Sequence, residues 1–132
     1  MDVVPYGSEH LASLARLYNQ MTEAVPRCHP IEPSDLAAAF NGACGFESDG
    51  RPMTKEAILV AVENKPIGFV HIGEGITPEK LGDEGAQGNI RFLCYPRGRR
   101  DVGQRLLEHG EAWVRDAGLD SLLVYRQDYR YP

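Results

Sequence analysis

The clearest signal along the chain is a change of hydrophobic period. Leu11, Leu14, Ala15, Tyr18 and Met21 recur at helical spacing after Ser8, which stands where an N-cap belongs. Pro26 and Pro30 end that helix. Ser34 is placed to cap a second, shorter one with Leu36, Ala37 and Phe40 on one side. From Ala57 the segment AILVAVENKPIGFVHIG is two apolar runs joined by ENKP, the pattern of an antiparallel hairpin. A third run, NIRFLCY, follows. Val102, Leu106, Leu107, Trp113, Val114 and Ala117 then share one helical face, with Gly118 where a C-cap belongs.

The remaining segments complete a topology. Val3 and Val4, closed by Pro5 and Gly7, make a short initial edge strand, and SLLVY makes a last one. A whole helix separates NIRFLCY from SLLVY, so these two strands are expected to be parallel and joined by a right-handed crossover. Gly42, Gly45 and Gly50 mark a loop, with Asp49 and Gly50 as a turn, and Glu74 to Gln87 reads as a long solvated connection. The expected fold class is α/β, a mixed sheet flanked by helices.

Composition narrows the classes of function. With 132 residues, 42% hydrophobic and 25% charged, the chain suits one globular domain, residues 1–132, and not a disordered one. A net charge of -5 argues against general affinity for nucleic acid or an anionic membrane. Cys28, Cys44 and Cys94 are widely spaced, without a CxxC pair, which fits reduced thiols in the cytoplasm and no metal site. No run approaches the roughly 18 apolar residues of a membrane span.

Candidate chemistry concentrates in RFLCYPRGRRDVGQRLL, from Arg91 to Leu107. A strand passes through an arginine- and glycine-rich joint straight into a helix, presenting free N–H groups and the positive helix end to an anion. Arg97, Arg99 and Arg100 supply charge there. Asp101 would repel a phosphate, or it serves as the helix N-cap, a role aspartate fills well. Cys94 in an aliphatic strand is read chiefly as a small buried hydrophobe, less as an acyl-accepting nucleophile. His71 in FVHIG is a candidate base, although alternation equally explains it as a solvent-side or hydrogen-bonded residue. Cys28 and His29, adjacent in the chain, have poor geometry for sharing a metal.

The block IRFLCYPRGRRDVGQRLLEHGEAWVRDAGL, from Ile90 to Leu119, resembles the cofactor-binding segment of GNAT-superfamily N-acetyltransferases. Leu106, Leu107, Glu111 and Trp113 match the helix of that segment. The resemblance implies a GNAT-like domain that binds acetyl-CoA and passes its acetyl group to an amine. It further implies that Leu93, Cys94 and Tyr95 hold the pantetheine arm through their main chain. The pyrophosphate would then rest on Arg99, Arg100, Asp101, Val102, Gly103 and Gln104, with Gly103 allowing close approach.

Two departures and one absence stand against this pattern. Asp101 replaces a usual glycine, and Asn89 stands where family members often have a glutamate base. Relative to the family, the sequence also lacks the helix and β-hairpin that follow SLLVY, including the tyrosine that often serves as acid. The catalytic residues are therefore left unassigned. Tyr125, Tyr129 and Tyr131 crowd the end of the chain, which suggests a homodimer or a second domain completing the sheet. The alternative function is a non-catalytic, degenerate GNAT-like module for packing or dimerisation. An RNA- or DNA-binding module built on Arg97 to Arg100 is disfavoured by the acidic whole and by the lack of interleaved aromatics.

Overall fold

The computed structural model describes residues 1–26, 28–40, 56–75, 87–119 and 121–124. The elements are β1 (Asp2–Pro5), a single 3-10 turn (Ser8–His10), α1 (Leu11–Thr22), α2 (Pro33–Phe40), β2 (Glu56–Glu63), β3 (Lys65–Gly75), β4 (Gln87–Cys94), α3 (Arg100–Asp116) and β5 (Ser121–Val124). The strands form one mixed sheet in the order β1-β2-β3-β4-β5, antiparallel except for the parallel pair β4–β5. The expected loop around Gly42, Gly45, Asp49 and Gly50, most of the connection from Glu74 to Gln87, Cys44, and the tyrosines from Tyr125 onward lie outside the described residues.

Alternation on β2, β3 and β4 divides the interior in two. Leu14, Ala15, Leu17, Leu36, Phe40, Val60, Phe69 and Cys94 form the core under α1 and α2. Ala61, Val70, Ile72, Ile90, Val102, Leu106 and Val114 form the core under α3 on the opposite face. Each cluster removes several large apolar side chains from water, at roughly 1.5–3 kcal/mol for a fully buried one.

Three helix starts differ from the sequence expectation. Ser8 belongs to the 3-10 turn and does not cap α1; the Gly7 N–H instead donates to His10 Nδ1 at 3.0 Å. Ser34 lies inside α2, which Pro33 opens, and the Glu32 N–H donates to Asp35 Oδ2 at 2.9 Å. Proline suits the first helical position because its missing N–H would have no partner there. The N-cap of α3 is Arg99, with no side-chain capping bond, so Asp101 is not the cap.

Asn19 ties α1 to the segment that leads into α2 in a way the periodicity does not announce. Its amide donates to the Ile31 carbonyl at 2.9 Å and accepts from the Ile31 N–H at 2.8 Å. The end of α3 follows expectation: Gly118 adopts φ 77°, and the Leu119 N–H returns to the Val114 carbonyl at 3.0 Å. Asn64 turns the β2–β3 hairpin at φ 67°.

Candidate functional site

Two features of β4 set the site. Its pairing with β3 shifts between His71 and Ile72, so that His71 faces Phe92 and Ile72 faces Ile90, leaving Arg91 as the extra residue of a bulge. Its described pairing with β5 runs from Gln87 to Ile90. From Arg91 to Cys94 the outer edge of β4 therefore has no strand in register beside it among the described residues.

The strand runs into the loop through Tyr95 and Pro96, and close packing of α3 fixes where that loop stands. A Cβ on Gly68 of β3 would come within 2.8 Å of Val102 Cγ1, 2.9 Å of the Cys94 carbonyl oxygen and 3.1 Å of Leu106 Cδ1. Only a glycine permits this approach. On Gly103 a Cβ would meet the Tyr95 ring at 2.7 Å, so the chain's own aromatic side chain already requires glycine there.

Arg99 is not a free cation. Its Nε and Nη2 donate to Asp101 at 3.0 and 2.9 Å, and its Nη1 and Nη2 reach Glu63 at 3.4 and 3.3 Å. This ties the loop to the end of β2. The guanidinium, and then the main-chain N–H groups of Val102 and Asp101, hold the Asp101 carboxyl below its ordinary value, while Asp101 and then Glu63 push Arg99 upward. Arg97 and Arg100 are exposed, with no ion pair among the described residues. The loop thus carries three cations against two carboxylates, and its available charge is on Arg97 and Arg100.

The main chain offers donors at the same place. The Val102 and Gly103 N–H groups are taken by the Arg99 carbonyl at 3.0 and 3.5 Å, and the Arg99 N–H by Pro96 at 3.0 Å. Those of Gly98 and Arg100 have no hydrogen-bond partner among the described residues. Gly98 reaches this position through a positive φ of 85°. An arc of free N–H donors beside two exposed guanidiniums fits a phosphate-bearing group.

The other predicted residues separate by role. The Leu93 side chain packs partly buried under α3, and Val102 is wholly buried, so each could meet a ligand only through its main chain. Gln104 is exposed, its amide donating to Glu108 at 3.4 Å. Cys94 is buried, and burial pushes its thiol up to about 12, which removes it as a nucleophile near neutral pH.

His71 is not solvent-side, and its ring nitrogens have no hydrogen-bond partner among the described residues. It is 1% exposed, lies stacked at 14° to Phe92 with centroids 6.3 Å apart, and meets Phe40 edge-on at 5.6 Å. Burial, and then the charge of Arg91, lowers it to about 4. Sequence reasoning passed over the neighbour that faces it, Glu56, whose Oε1 is 3.8 Å from His71 Nε2. Among the described residues no three of His, Cys, Asp and Glu come together as a metal site. Nor is any described helix long and apolar enough to cross a membrane.

A five-stranded mixed sheet with α1 and α2 on one face and α3 on the other, antiparallel except for β4–β5 and bulged at Arg91 between β3 and β4, is a GNAT-like fold. No family model and no curated protein matches the chain. Solved structures do. The BH1408 protein of Bacillus halodurans, in tetramutant form, superposes with a TM-score of 0.72 at 22% identity, covering 97% of this chain and 84% of that one. The aminoglycoside antibiotic 6'-N-acetyltransferase of Acinetobacter haemolyticus gives 0.70 at 11% identity, covering 97% and 81%. An acetyltransferase of Trypanosoma brucei gives 0.63 at 15%, covering 96% and 83%. At these identities the likeness is one of fold.

Proposed function

We propose that residues 1–132 form an acetyl-CoA-binding domain that transfers the acetyl group to an amine by direct attack on the thioester. The observation that carries this reading is the juxtaposition at the end of β4. There β4, beside which no strand is described from Arg91 to Cys94, leads into a loop with N–H groups free among the described residues at Gly98 and Arg100 and exposed guanidiniums at Arg97 and Arg100. Pantetheine is an extended chain of amides that can add to the edge at Leu93, Cys94 and Tyr95 through main-chain hydrogen bonds. The pyrophosphate lies on the loop from Arg99 to Gln104.

Bound acetyl-CoA supplies an activated acyl carbon. The chain's part is to hold the thioester beside the acceptor and keep water away. The acceptor nitrogen forms the new C–N bond and loses a proton, the C–S bond breaks, and the thiol of CoA leaves. The free Cys28 and Cys94 suit a cytoplasmic setting.

The test is calorimetric titration with acetyl-CoA. Arg100→Ala should weaken binding by roughly tenfold, the scale of one hydrogen bond to a charged group. Arg99→Ala should weaken it less, because that guanidinium is already held by Asp101 and Glu63, and Asp101→Asn should strengthen it. A folded chain that takes up no acetyl-CoA would overturn the reading. The engagement of Arg99 by two carboxylates favours, in that event, a degenerate module that packs against a second copy or domain.

A further inference from the structure

The main chain at Arg99 is fixed while its side chain is not. The Arg99 N–H donates to the Pro96 carbonyl at 3.0 Å, and its own carbonyl accepts from the Val102 and Gly103 N–H groups at 3.0 and 3.5 Å. The residue stands at φ -107° and ψ 63°, outside the helical region, where α3 departs from the loop. Any change at this position is therefore a change of the side chain, a long one that has many rotamers and is 37% exposed.

The guanidinium turns two edges to two carboxylates. Nε and Nη2 donate to Asp101 at 3.0 and 2.9 Å, a side-on pair within the loop itself. Nη1 and Nη2 reach Glu63 Oε1 at 3.4 and 3.3 Å, and Nη2 reaches Oε2 at 3.5 Å. Charge-assisted bonds between nitrogen and oxygen usually span about 2.7–2.9 Å. The Asp101 edge is near that length and firm, and the Glu63 edge is loose.

Glu63 also comes from elsewhere in the fold. It closes β2, 36 positions before Arg99, and Asn64 turns the chain straight into β3. With Arg99 37% and Glu63 46% exposed, their ion pair is of the weak, readily exchanged kind. A pyrophosphate brings several anionic oxygens to the Nη1–Nη2 edge, which accepts two of them side by side. Lys65 stands directly across the strand pair from Glu63, so the carboxylate keeps a cation beside it once Arg99 has left.

We infer that Glu63 is a placeholder for phosphate on Arg99. In the ligand-free chain it covers the Nη1–Nη2 edge. On binding, that edge passes to phosphate oxygens, Asp101 keeps the Nε side and so holds the guanidinium over the loop, and the end of the β2–β3 hairpin is released. This rests on the acyl-transfer reading and states how its anion site is regulated: affinity is set by a carboxylate outside the loop that competes with the ligand for one arginine.

The test is a double-mutant cycle on the 132-residue chain, with Glu63→Gln and Arg99→Ala alone and together, titrated calorimetrically with acetyl-CoA and, separately, with inorganic pyrophosphate. Glu63→Gln should tighten binding about threefold, the scale of one exposed ion pair. That gain should vanish in the Arg99→Ala background, so that losing Arg99 costs about three times more affinity when Glu63 is absent. An equal gain in both backgrounds would make Glu63 a mere through-space repulsion, and weaker binding by Glu63→Gln would make it a strut that shapes the loop. Either result overturns the inference. Acetyl-CoA binding without the coupling sinks the placeholder alone. Coupling seen with pyrophosphate in a chain that takes up no acetyl-CoA sinks the acyl-transfer reading and leaves the placeholder standing, and binding of neither ligand overturns both.

Discussion

His71 shows what a single residue's surroundings decide. Its imidazole lies between Phe40 and Phe92, faces Glu56 from β2, and feels Arg91 from β4. It titrates in the folded chain near 4, below its ordinary 6.5, because burial and then Arg91 disfavour the charged form. Between these values the unfolded chain binds the proton and the folded chain does not. Stability is therefore full above about pH 6.5 and falls as pH drops toward 4, by an amount on the order of 3 kcal/mol. Asp101, whose carboxyl is held low, loses its own contribution at lower pH still. Urea denaturation between pH 4 and 7 should show the slope in the native chain and a nearly flat profile in His71→Leu. An unchanged slope would mean that other groups titrate there.

At the scale of elements, Gly68 joins the strand to the helix and the helix to the site. Gly68→Ala would force a methyl against the Cys94 carbonyl and Val102, neither of which can swing away as a long side chain could. Overpacking of this kind costs about 1–3 kcal/mol. Because α3 carries the loop at its N-terminus, the variant should both lower stability and weaken acetyl-CoA binding. Thermal denaturation beside calorimetry checks this, and a stable variant with native affinity would show that α3 is not seated by that contact. The strands, the helices and the parallel return of β5 were legible because each carries a period of its own. A glycine inside an alternating strand is also a readable sign of close approach, although the hairpin pattern alone does not say what approaches. The bulge at Arg91 was not legible: NIRFLCY alternates acceptably in either register, and the choice is made by β3. Nor could Asp101 be told from a cap, since Glu63, the second carboxylate on its partner Arg99, is brought in by the hairpin.

The whole molecule is acidic, at a net charge of -5, and yet its proposed anion site is cationic. The two facts act over different distances. At physiological ionic strength the screening length is about 8 Å, so the distant carboxylates are largely hidden from a ligand on the loop while Arg97 and Arg100 are not. A compact polyanion such as acetyl-CoA can be held by two guanidiniums and a few N–H groups. A nucleic acid strand extends beyond the patch and meets the acidic remainder, and it needs many more phosphate contacts to bind without sequence preference. Acetyl-CoA affinity should therefore decline only shallowly from 0.1 to roughly 0.3 M salt, in keeping with two screened cations. A fluorescent single-stranded oligonucleotide should show no rise in anisotropy at about 0.15 M. Tight, steeply salt-dependent retention of the oligonucleotide, with weak uptake of acetyl-CoA, would reassign the arginine cluster to a nucleic acid partner. That outcome would require the field of the whole chain to be overridden by contacts beyond the loop.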